Sequence, residues 1–338
     1  MQNPVFFDDP IYIHSHASAV GKEEQKGPLG DRFDFCDPSG YFGEKTWELA
    51  ESALSRICLA LALKKGNITH KKLDVILAGD LQNQCVASSV AHTDLAVPYL
   101  GLYAACATSS LGLYLASSLL SGSRHLHRAA VVTSSHFCVA ERQFRLPLEY
   151  GGQRTPTAQW TATAAGAFIL SDKKEKECTC KITGGMIGIP INSSIIDASN
   201  MGAAMAPAAA HTILSFFEKS GYSADDFDAV VTGDLGYEGS ELVKGLLCDN
   251  GLPLLKNHLD CGTLLYDPSI QDVHSGGSGC GCSASVLSAH FLPMLEEGKM
   301  KRILFVASGA LMSPSSILQG KSIIGIAHAV VIEKEKAK

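Results

Sequence analysis

The chain has 338 residues, of which 46% are hydrophobic and 18% are charged, and this composition excludes a disordered protein. The formal net charge is −6 and the chain lacks a long basic run, so nucleic-acid binding is not expected. No apolar run reaches the roughly 18–20 residues that a membrane-spanning helix needs, and the N-terminus lacks the pattern of a secretion signal. We therefore expect a globular protein of the cytoplasm, without a signal peptide or a transmembrane segment.

The eleven cysteines are an odd number without regular spacing, which is typical of a reducing compartment. Two pairs, Cys178 with Cys180 and Cys280 with Cys282, have a C-x-C spacing that differs from the spacing of structural zinc sites. Most of the cysteines are expected to be small buried side chains. No metal and no cofactor is expected.

Apolar segments with strand and helix patterns follow one another through the first half of the chain. They are a buried strand within residues 74–81, a helix from Cys106 to about Leu120, a strand at residues 128–135 and a strand at residues 167–170. The second half repeats these segments in the same order. There they are a strand within residues 228–235, a helix from Cys280 to about Leu295, a strand at residues 301–308 and a strand at residues 329–332.

The repeat is also visible in the spacing of its parts. Cys106 precedes Val132 by 26 residues, and Cys280 precedes Val306 by the same 26 residues. A matched order of four elements with matched spacing indicates an internal duplication.

Apolar strands that alternate with helices indicate mixed, parallel-rich sheets whose two faces are both covered. The sequence therefore predicts an α/β fold of duplicated βαβ halves. The halves are residues 1–175 and residues 176–338, and they meet in the charged segment 172–177.

Cys106 stands at the predicted start of the first central helix. Free N–H groups at a helix N-terminus favour a thiolate, so this position is typical of a nucleophile. The alternatives are a small buried side chain that lines a pocket and a thiol that contacts a ligand. A nucleophile also needs a neighbouring base, so the rest of the chain decides between these roles.

Duplicated βαβ halves with a cysteine that opens the central helix of the first half resemble the thiolase superfamily, which includes thiolases and β-ketoacyl synthases. More narrowly, four stretches resemble the stage V sporulation protein AD family of spore-forming bacteria. These stretches are residues 20–30, 104–109, 141–152 and 156–163. The resemblance covers essentially the whole chain.

The resemblance implies a thiolase-like fold with α/β/α/β/α layers that usually forms a homodimer. It also implies binding of dipicolinate (pyridine-2,6-dicarboxylate), alone or as its calcium chelate, for uptake into the developing spore and for release at germination. Such a protein would work beside membrane-embedded spore proteins, as a peripheral protein at the cytoplasmic face of the spore inner membrane.

The same resemblance implies two polar partners for a catalytic cysteine. One is a histidine at a strand end of the second half, where this chain has Thr232 or Gly233. The other is an asparagine or a second histidine on the loop before the second-half helix, where Cys280 stands. His274 is the nearest remaining base. Condensation chemistry is therefore expected to be impaired, because the group that polarises the carbonyl is missing.

A dipicolinate site would need cations or hydrogen-bond donors for two carboxylates and a flat surface for the ring. The long polar segment between the last two strands of the first half supplies several candidates. The candidate ligand-binding residues are Cys106, His136, Arg142, Arg145, Gln153, Gln159, His274 and Cys280. The alternative role for the arginines is a surface or interface ion pair, and for His136 it is a position in the core.

The function that these observations favour is non-catalytic binding of dipicolinate. One alternative is an acyltransferase or a β-ketoacyl synthase-like enzyme that uses Cys106. Another is an interaction scaffold for membrane partners that keeps a vestigial pocket.

Overall fold

A computed structural model describes residues 3–144, 154–175, 178–252 and 257–335. Its strands are β1 (Val5–Gly21), β2 (Phe35–Asp37), β3 (Val75–Gly79), β4 (Tyr99–Gly101), β5 (Arg128–Ser135), β6 (Trp160–Thr161), β7 (Ala164–Ser171), β8 (Cys180–Met186), β9 (Ile191–Asn192), β10 (Ala229–Thr232), β11 (His258–Asp260), β12 (Gly277–Ser278), β13 (Arg302–Leu311) and β14 (Ile324–Lys334). Its α-helices are α1 (Lys22–Gln25), α2 (Trp47–Lys65), α3 (Val86–Ala91), α4 (Thr108–Gly122), α5 (Phe137–Phe144), α6 (Met201–Ser220), α7 (Gly236–Asp249), α8 (Cys261–Leu265), α9 (Cys280–Val286), α10 (Leu292–Glu296) and α11 (Pro314–Leu318).

The main sheet runs in the order β11-β10-β13-β14-β8-β1-β7-β5-β3-β4. This order is symmetric about its centre, because β1, β7, β5, β3 and β4 of the first half correspond to β8, β14, β13, β10 and β11 of the second. The outer strands pair in parallel, and the central strands pair antiparallel. The predicted mixed α/β fold of duplicated halves is confirmed.

The helices form three layers around the two halves of the sheet. Helix α2 packs on the outer face of β1, β7 and β5, and helix α6 packs on the outer face of β13 and β14. Helices α4 and α9 lie between the two half-sheets and contact strands of both halves. This gives the predicted α/β/α/β/α order of layers. Within the described residues, no helix combines the length and the apolar composition that crossing a membrane requires.

Hydrogen bonds at matching positions show the duplication directly. Asp74 Oδ2 accepts from the two backbone N–H groups at the start of β5, and Asp228 Oδ2 accepts in the same way at the start of β13. Ser109 and Ser283, each three residues after the helix-opening cysteine of its half, meet at an Oγ–Oγ distance of 2.7 Å. The two central helices therefore contact each other through equivalent positions.

The division of the chain at residue 175 stays a prediction. The first two residues of the proposed second half, 176 and 177, lie outside the described residues. The two halves share one continuous sheet through the antiparallel pairing of β1 with β8.

The ends of the long helices carry residues suited to them. Thr46 accepts a hydrogen bond from the third residue of α2, and Lys64 and Lys65 lie in its last turn, where cations stabilise the helix dipole. Asn200 caps α6 by accepting from the backbone of Ala203. Gly221 ends that helix in a left-handed conformation with a φ of 77°.

The backbone of β13 lies directly against the loop that precedes α4. A Cβ atom on Gly309 would lie 2.4 Å from the carbonyl oxygen of Ala104 and 3.1 Å from the backbone nitrogen of Cys106. Glycine is the residue that permits this approach. Gly309 therefore fixes how closely the second half packs on the Cys106 loop.

Gly309→Ala is expected to lower the free energy of unfolding by about 1–3 kcal/mol, because the new methyl group overlaps backbone atoms that cannot move freely. Gly245→Ala is the matched control, since a Cβ at this exposed helix position meets no atom within 4 Å. It is expected to raise stability by about 0.5–1 kcal/mol, because alanine favours a helix over glycine. Urea unfolding measures both changes, and equal effects of the two substitutions would contradict the close packing at Gly309.

Candidate functional site

Cys106 is buried, with 4% of its surface exposed, and lies two residues before α4. The preceding residue, Ala105, has a φ of 49°, a left-handed conformation that is strained for any residue except glycine. The hydroxyl of Thr108 donates to the carbonyl of Ala105 at 2.6 Å and accepts from the backbone nitrogen of Ala104 at 3.0 Å. The first turn of the helix thus holds the cysteine in its strained loop.

Cys106 lines a narrow pocket with a cavity volume of about 30 Å³, which we name the Cys106 pocket. Its described lining residues are Leu81, Tyr103, Ala105, Cys106, Ala140, Phe144, Thr161, Met201, Ser278, Ala310 and Met312. Most of these side chains are apolar. None of the described lining residues is an arginine, a lysine or a histidine.

Behind the Cys106 pocket lies the carboxyl group of Asp234, which is fully buried. Its Oδ2 accepts from the backbone nitrogen of Gly279 at 2.7 Å and from the hydroxyl of Ser278 at 3.3 Å. Burial raises the pKa of Asp234 to about 7. Burial and the negative charge of Asp234 hold the pKa of Cys106 well above its ordinary value, so the thiol is protonated at neutral pH.

The structure leaves no space for a side chain at Gly233. A Cβ there would lie 2.9 Å from the Cα of Ala307 on β13. Cys280 is fully buried, and its thiol donates to the carbonyl of Ser134 at 3.0 Å. Burial raises the pKa of Cys280, and the nearby Cys106 adds to the increase, so the two cysteines are neighbours. These are the two positions where the thiolase-superfamily resemblance implies polar catalytic partners.

His136 lies in a second cavity, which we name the His136 groove. Its Nε2 donates to the carbonyl of Gly40 at 2.9 Å, and burial lowers its pKa, so the ring is neutral. Strand β6 separates the two cavities, because Trp160 lines the groove and the adjacent Thr161 lines the Cys106 pocket. His136 and Cys106 are therefore not brought together.

Arg142 lies on α5 with its guanidinium paired with Glu48 and 5.5 Å from the ring centre of Trp47. It does not line the Cys106 pocket. Arg145 and Gln153, the other candidates of this segment, lie outside the described residues. A ligand contact by any of the three stays a prediction.

Gln159 and His274 both support the loop that leads to β12. The side-chain amide of Gln159 donates to the carbonyls of Asp234 and Gly277 at 2.6 and 2.9 Å. His274 has its Nδ1 2.7 Å from the carbonyl of Thr155 and its Nε2 2.8 Å from Asp272. Neither residue lines the Cys106 pocket, and a ligand contact by either stays a prediction.

Sequence reasoning did not select Asp234, Ser278 or Thr161 as site residues. Asp234 lies at the end of a repeated strand, so the sequence offered a signal for it. Its contact with Cys106 could not be predicted, because the two residues are more than a hundred positions apart in the chain. A signal for Thr161 was its place beside Trp160 in a stretch that carried the family resemblance. Among the described residues, no cluster of three or more histidine, cysteine or carboxylate side chains is placed to hold a metal ion.

Solved structures of condensing enzymes share this fold. A variant of Xanthomonas campestris OleA matches 97% of the chain and 98% of its own length, with a TM-score of 0.61 and 14% identity. The 3-oxoacyl-[acyl-carrier-protein] synthase III of Aquifex aeolicus matches 96% and 99%, with a TM-score of 0.56 and 11% identity. The tetronic acid condensing enzyme AbyA1 matches 95% and 99%, with a TM-score of 0.60 and 16% identity. At these identities the likeness shows the fold alone, and the predicted thiolase-like fold is confirmed.

Residues 1–333 match the family model described as Stage V sporulation protein AD. The chain is 43% identical to the stage V sporulation protein AD of Bacillus subtilis (strain 168) over 328 aligned residues. The aligned residues cover 97% of this chain and 96% of that protein. This chain therefore belongs to the stage V sporulation protein AD family.

Proposed function

We propose that this sporulation protein binds dipicolinate without transforming it, for uptake into the developing spore and for release at germination. The observation that carries the proposal is the state of Cys106. Its thiol faces a pocket, lies beside a buried carboxyl group, and has no imidazole among the described lining residues.

A nucleophilic cysteine acts as a thiolate, which a neighbouring base or cation normally stabilises. Asp234 has the opposite effect, because its negative charge opposes ionisation of the Cys106 thiol. The packing of Gly233 against β13 also leaves no room for a base at that position. We therefore regard the site as a thiolase-like pocket that has lost its catalytic partners and kept its cysteine.

The pocket has the lining of a small-molecule site, although it is narrow in this structure. Its cavity volume of about 30 Å³ is well below the usual range for ligand pockets, about 300–1,000 Å³, so the side chains that line it must move apart for dipicolinate to enter. Apolar walls suit the flat face of a pyridine ring, and the hydroxyl groups of Ser278 and Thr161 can donate to carboxylate oxygens. The N-terminus of α4 adds a partial positive charge on the same side.

Isothermal titration with dipicolinate is expected to show saturable binding to the purified protein, and picolinate, which has one carboxylate, is expected to bind more weakly. Ala310→Leu is expected to weaken dipicolinate binding by at least about tenfold, because the larger side chain fills the pocket. Ala60→Leu, the same change at an exposed position of α2, serves as the control. Titrations with and without calcium show which form of the ligand binds.

Two outcomes count against this proposal. Absence of heat with dipicolinate at millimolar concentration would show that dipicolinate is not a ligand of this protein. Equal affinity of Ala310→Leu and the wild type, with folding verified by circular dichroism, would place the ligand elsewhere.

A second candidate is an acyltransferase or a β-ketoacyl synthase-like enzyme that uses Cys106. The position of Cys106 at the N-terminus of α4 favours it, since free N–H groups there stabilise a thiolate or an oxyanion. Such an enzyme requires a reactive thiolate near neutral pH. The raised pKa of Cys106 makes it the weaker candidate.

In the proposed function, the protein works as a peripheral protein at the cytoplasmic face of the spore inner membrane. It passes dipicolinate to or from membrane-embedded spore proteins. This part of the proposal is supported by membership of the sporulation family.

We infer that the protein forms a homodimer through β4, the strand at one end of the main sheet. An unpaired edge strand is a template for pairing with a second chain. Four apolar side chains on and beside this edge, each 42–46% exposed, support such an interface. They are Val86, Val90, Leu100 and Tyr103. Because Tyr103 also lines the Cys106 pocket, the interface would border the site.

Light scattering after size exclusion is expected to give twice the chain mass of 35.8 kDa. Leu100→Lys is expected to give the monomer mass, since it places a charge in the apolar interface. Leu318→Lys is the control, because Leu318 is 83% exposed on α11 and belongs neither to β4 nor to the segments that carry the four apolar side chains. A monomer for the wild type, or dissociation by the Leu318 variant but not by the Leu100 variant, would contradict an interface at β4.

A further inference from the structure

We propose that Asp234 is a positioning residue that sets the hydrogen-bond polarity of the Cys106 pocket, so that an anionic ligand binds together with one proton. The inference rests on the proposed function, because it concerns the same pocket. Ligand binding in itself requires neither Asp234 nor the uptake of a proton.

The geometry places Asp234 one layer behind the ligand space. Asp234 does not line the pocket, but Ser278 and Cys106 do. The Ser278 hydroxyl lies 3.3 Å from Oδ2 of Asp234 and 3.8 Å from Sγ of Cys106. The Cys106 thiol also interacts with the carboxyl group of Asp234. Any change in Asp234 therefore reaches a ligand through these two groups.

The two protonation states of Asp234 give the pocket opposite polarity. An ionised carboxylate only accepts hydrogen bonds, so the Ser278 hydroxyl and the Cys106 thiol turn their protons towards it and present lone pairs to the pocket. A protonated carboxyl group donates one hydrogen bond, so one of these groups can turn its own proton towards the ligand. The N–H of Gly279 holds Oδ2 in place in both states. An anionic ligand therefore prefers the protonated state.

The surroundings of Asp234 place this change near neutral pH. Burial raises its pKa to about 7, and the negative charge of Asp260 at the end of β11 adds to the increase. The other titratable groups that face it are thiols, namely Cys106 before α4, Cys261 in α8 and Cys282 in α9. Burial raises the pKa of each of these thiols, so they stay neutral while Asp234 titrates.

The sign of the effect follows from the preferred state. A ligand that selects protonated Asp234 binds most tightly below the pKa of that group and loses affinity as pH rises through it. For a pKa of about 7, the dissociation constant of dipicolinate is expected to be about tenfold larger at about pH 8 than at about pH 6. The carboxyl groups of dipicolinate stay ionised throughout this range, so they do not produce the change.

The test is isothermal titration with calcium-free dipicolinate at about pH 6 and about pH 8. Asp234→Asn keeps an acceptor for Gly279 and adds a permanent donor, so it mimics the protonated state. It is expected to bind with an affinity that differs less than about twofold between the two pH values. Pyridine-2,6-dicarboxamide, a neutral analogue of the ligand, is the control probe and is expected to show no pH dependence with the wild type.

Glu24→Gln is the matched control variant. Glu24 is also a buried carboxyl group whose pKa burial raises to about 7, but it lines the His136 groove and not the Cys106 pocket. This variant is expected to keep the roughly tenfold pH dependence of the wild type.

Wild-type protein alone gives a second measurement, which does not depend on the folding of a variant. Titration at about pH 8 in two buffers of different ionisation enthalpy is expected to show uptake of about one proton per dipicolinate bound. Uptake of no proton, or an unchanged pH dependence in a folded Asp234→Asn variant, would overturn the inference and leave the proposed function standing. Absence of dipicolinate binding at both pH values would instead remove the proposed function.

Discussion

The buried carboxyl group of Asp234 lies behind the thiol that lines the Cys106 pocket, and the interaction of these two groups governs the chemistry of the site. Burial disfavours the charged form of both groups, and the negative charge of Asp234 further raises the pKa of Cys106, whereas the Cys106 thiol lowers the pKa of Asp234 through a hydrogen bond. The backbone N–H of Gly279 and the hydroxyl of Ser278 stabilise the charge on Asp234. Between the two acids, Asp234 therefore ionises first and Cys106 keeps its proton, which favours binding over nucleophilic attack.

The duplication explains how this arrangement arises at the junction of the halves. Asp80, the counterpart of Asp234 in the first half, has its carboxyl oxygens bonded to the backbone of Gln82 and to the backbone and hydroxyl of Ser88. The carboxyl group of Asp80 therefore bonds only to residues of the first half in these contacts. Asp234 instead reaches the loop that carries Cys106. The same strand-end aspartate thus stabilises structure in one half and contacts two residues that line a pocket, Cys106 and Ser278, in the other.

The fold was largely predictable because its signals are local and repeated. Apolar strands and helices recur at matched spacing, so the duplication and the position of Cys106 before the central helix followed from the sequence. The strand bounds differ in detail, since β13 extends to Leu311 and β14 begins at Ile324. The polar loops after these strands carry no periodic signal that marks where pairing ends.

The site was less predictable, because it depends on contacts between distant segments. The sequence identified Cys106 and Cys280, which the structure places as neighbours. It could not show that His136 turns to the carbonyl of Gly40, because nothing local links these two residues. Adjacent strand residues point to opposite faces, but only the structure shows that Trp160 faces the His136 groove and Thr161 the Cys106 pocket.

The central claim is that Cys106 is a protonated thiol in a binding pocket, and its titration tests this most directly. The rate of alkylation of Cys106 by iodoacetamide, followed peptide by peptide with mass spectrometry across a pH series, reports the thiolate fraction through the shape of the profile. The account predicts a rate that still rises above about pH 8.5, the ordinary thiol pKa. A rate that has already reached its plateau near pH 7 would contradict it, because the thiol would then be an ionised nucleophile.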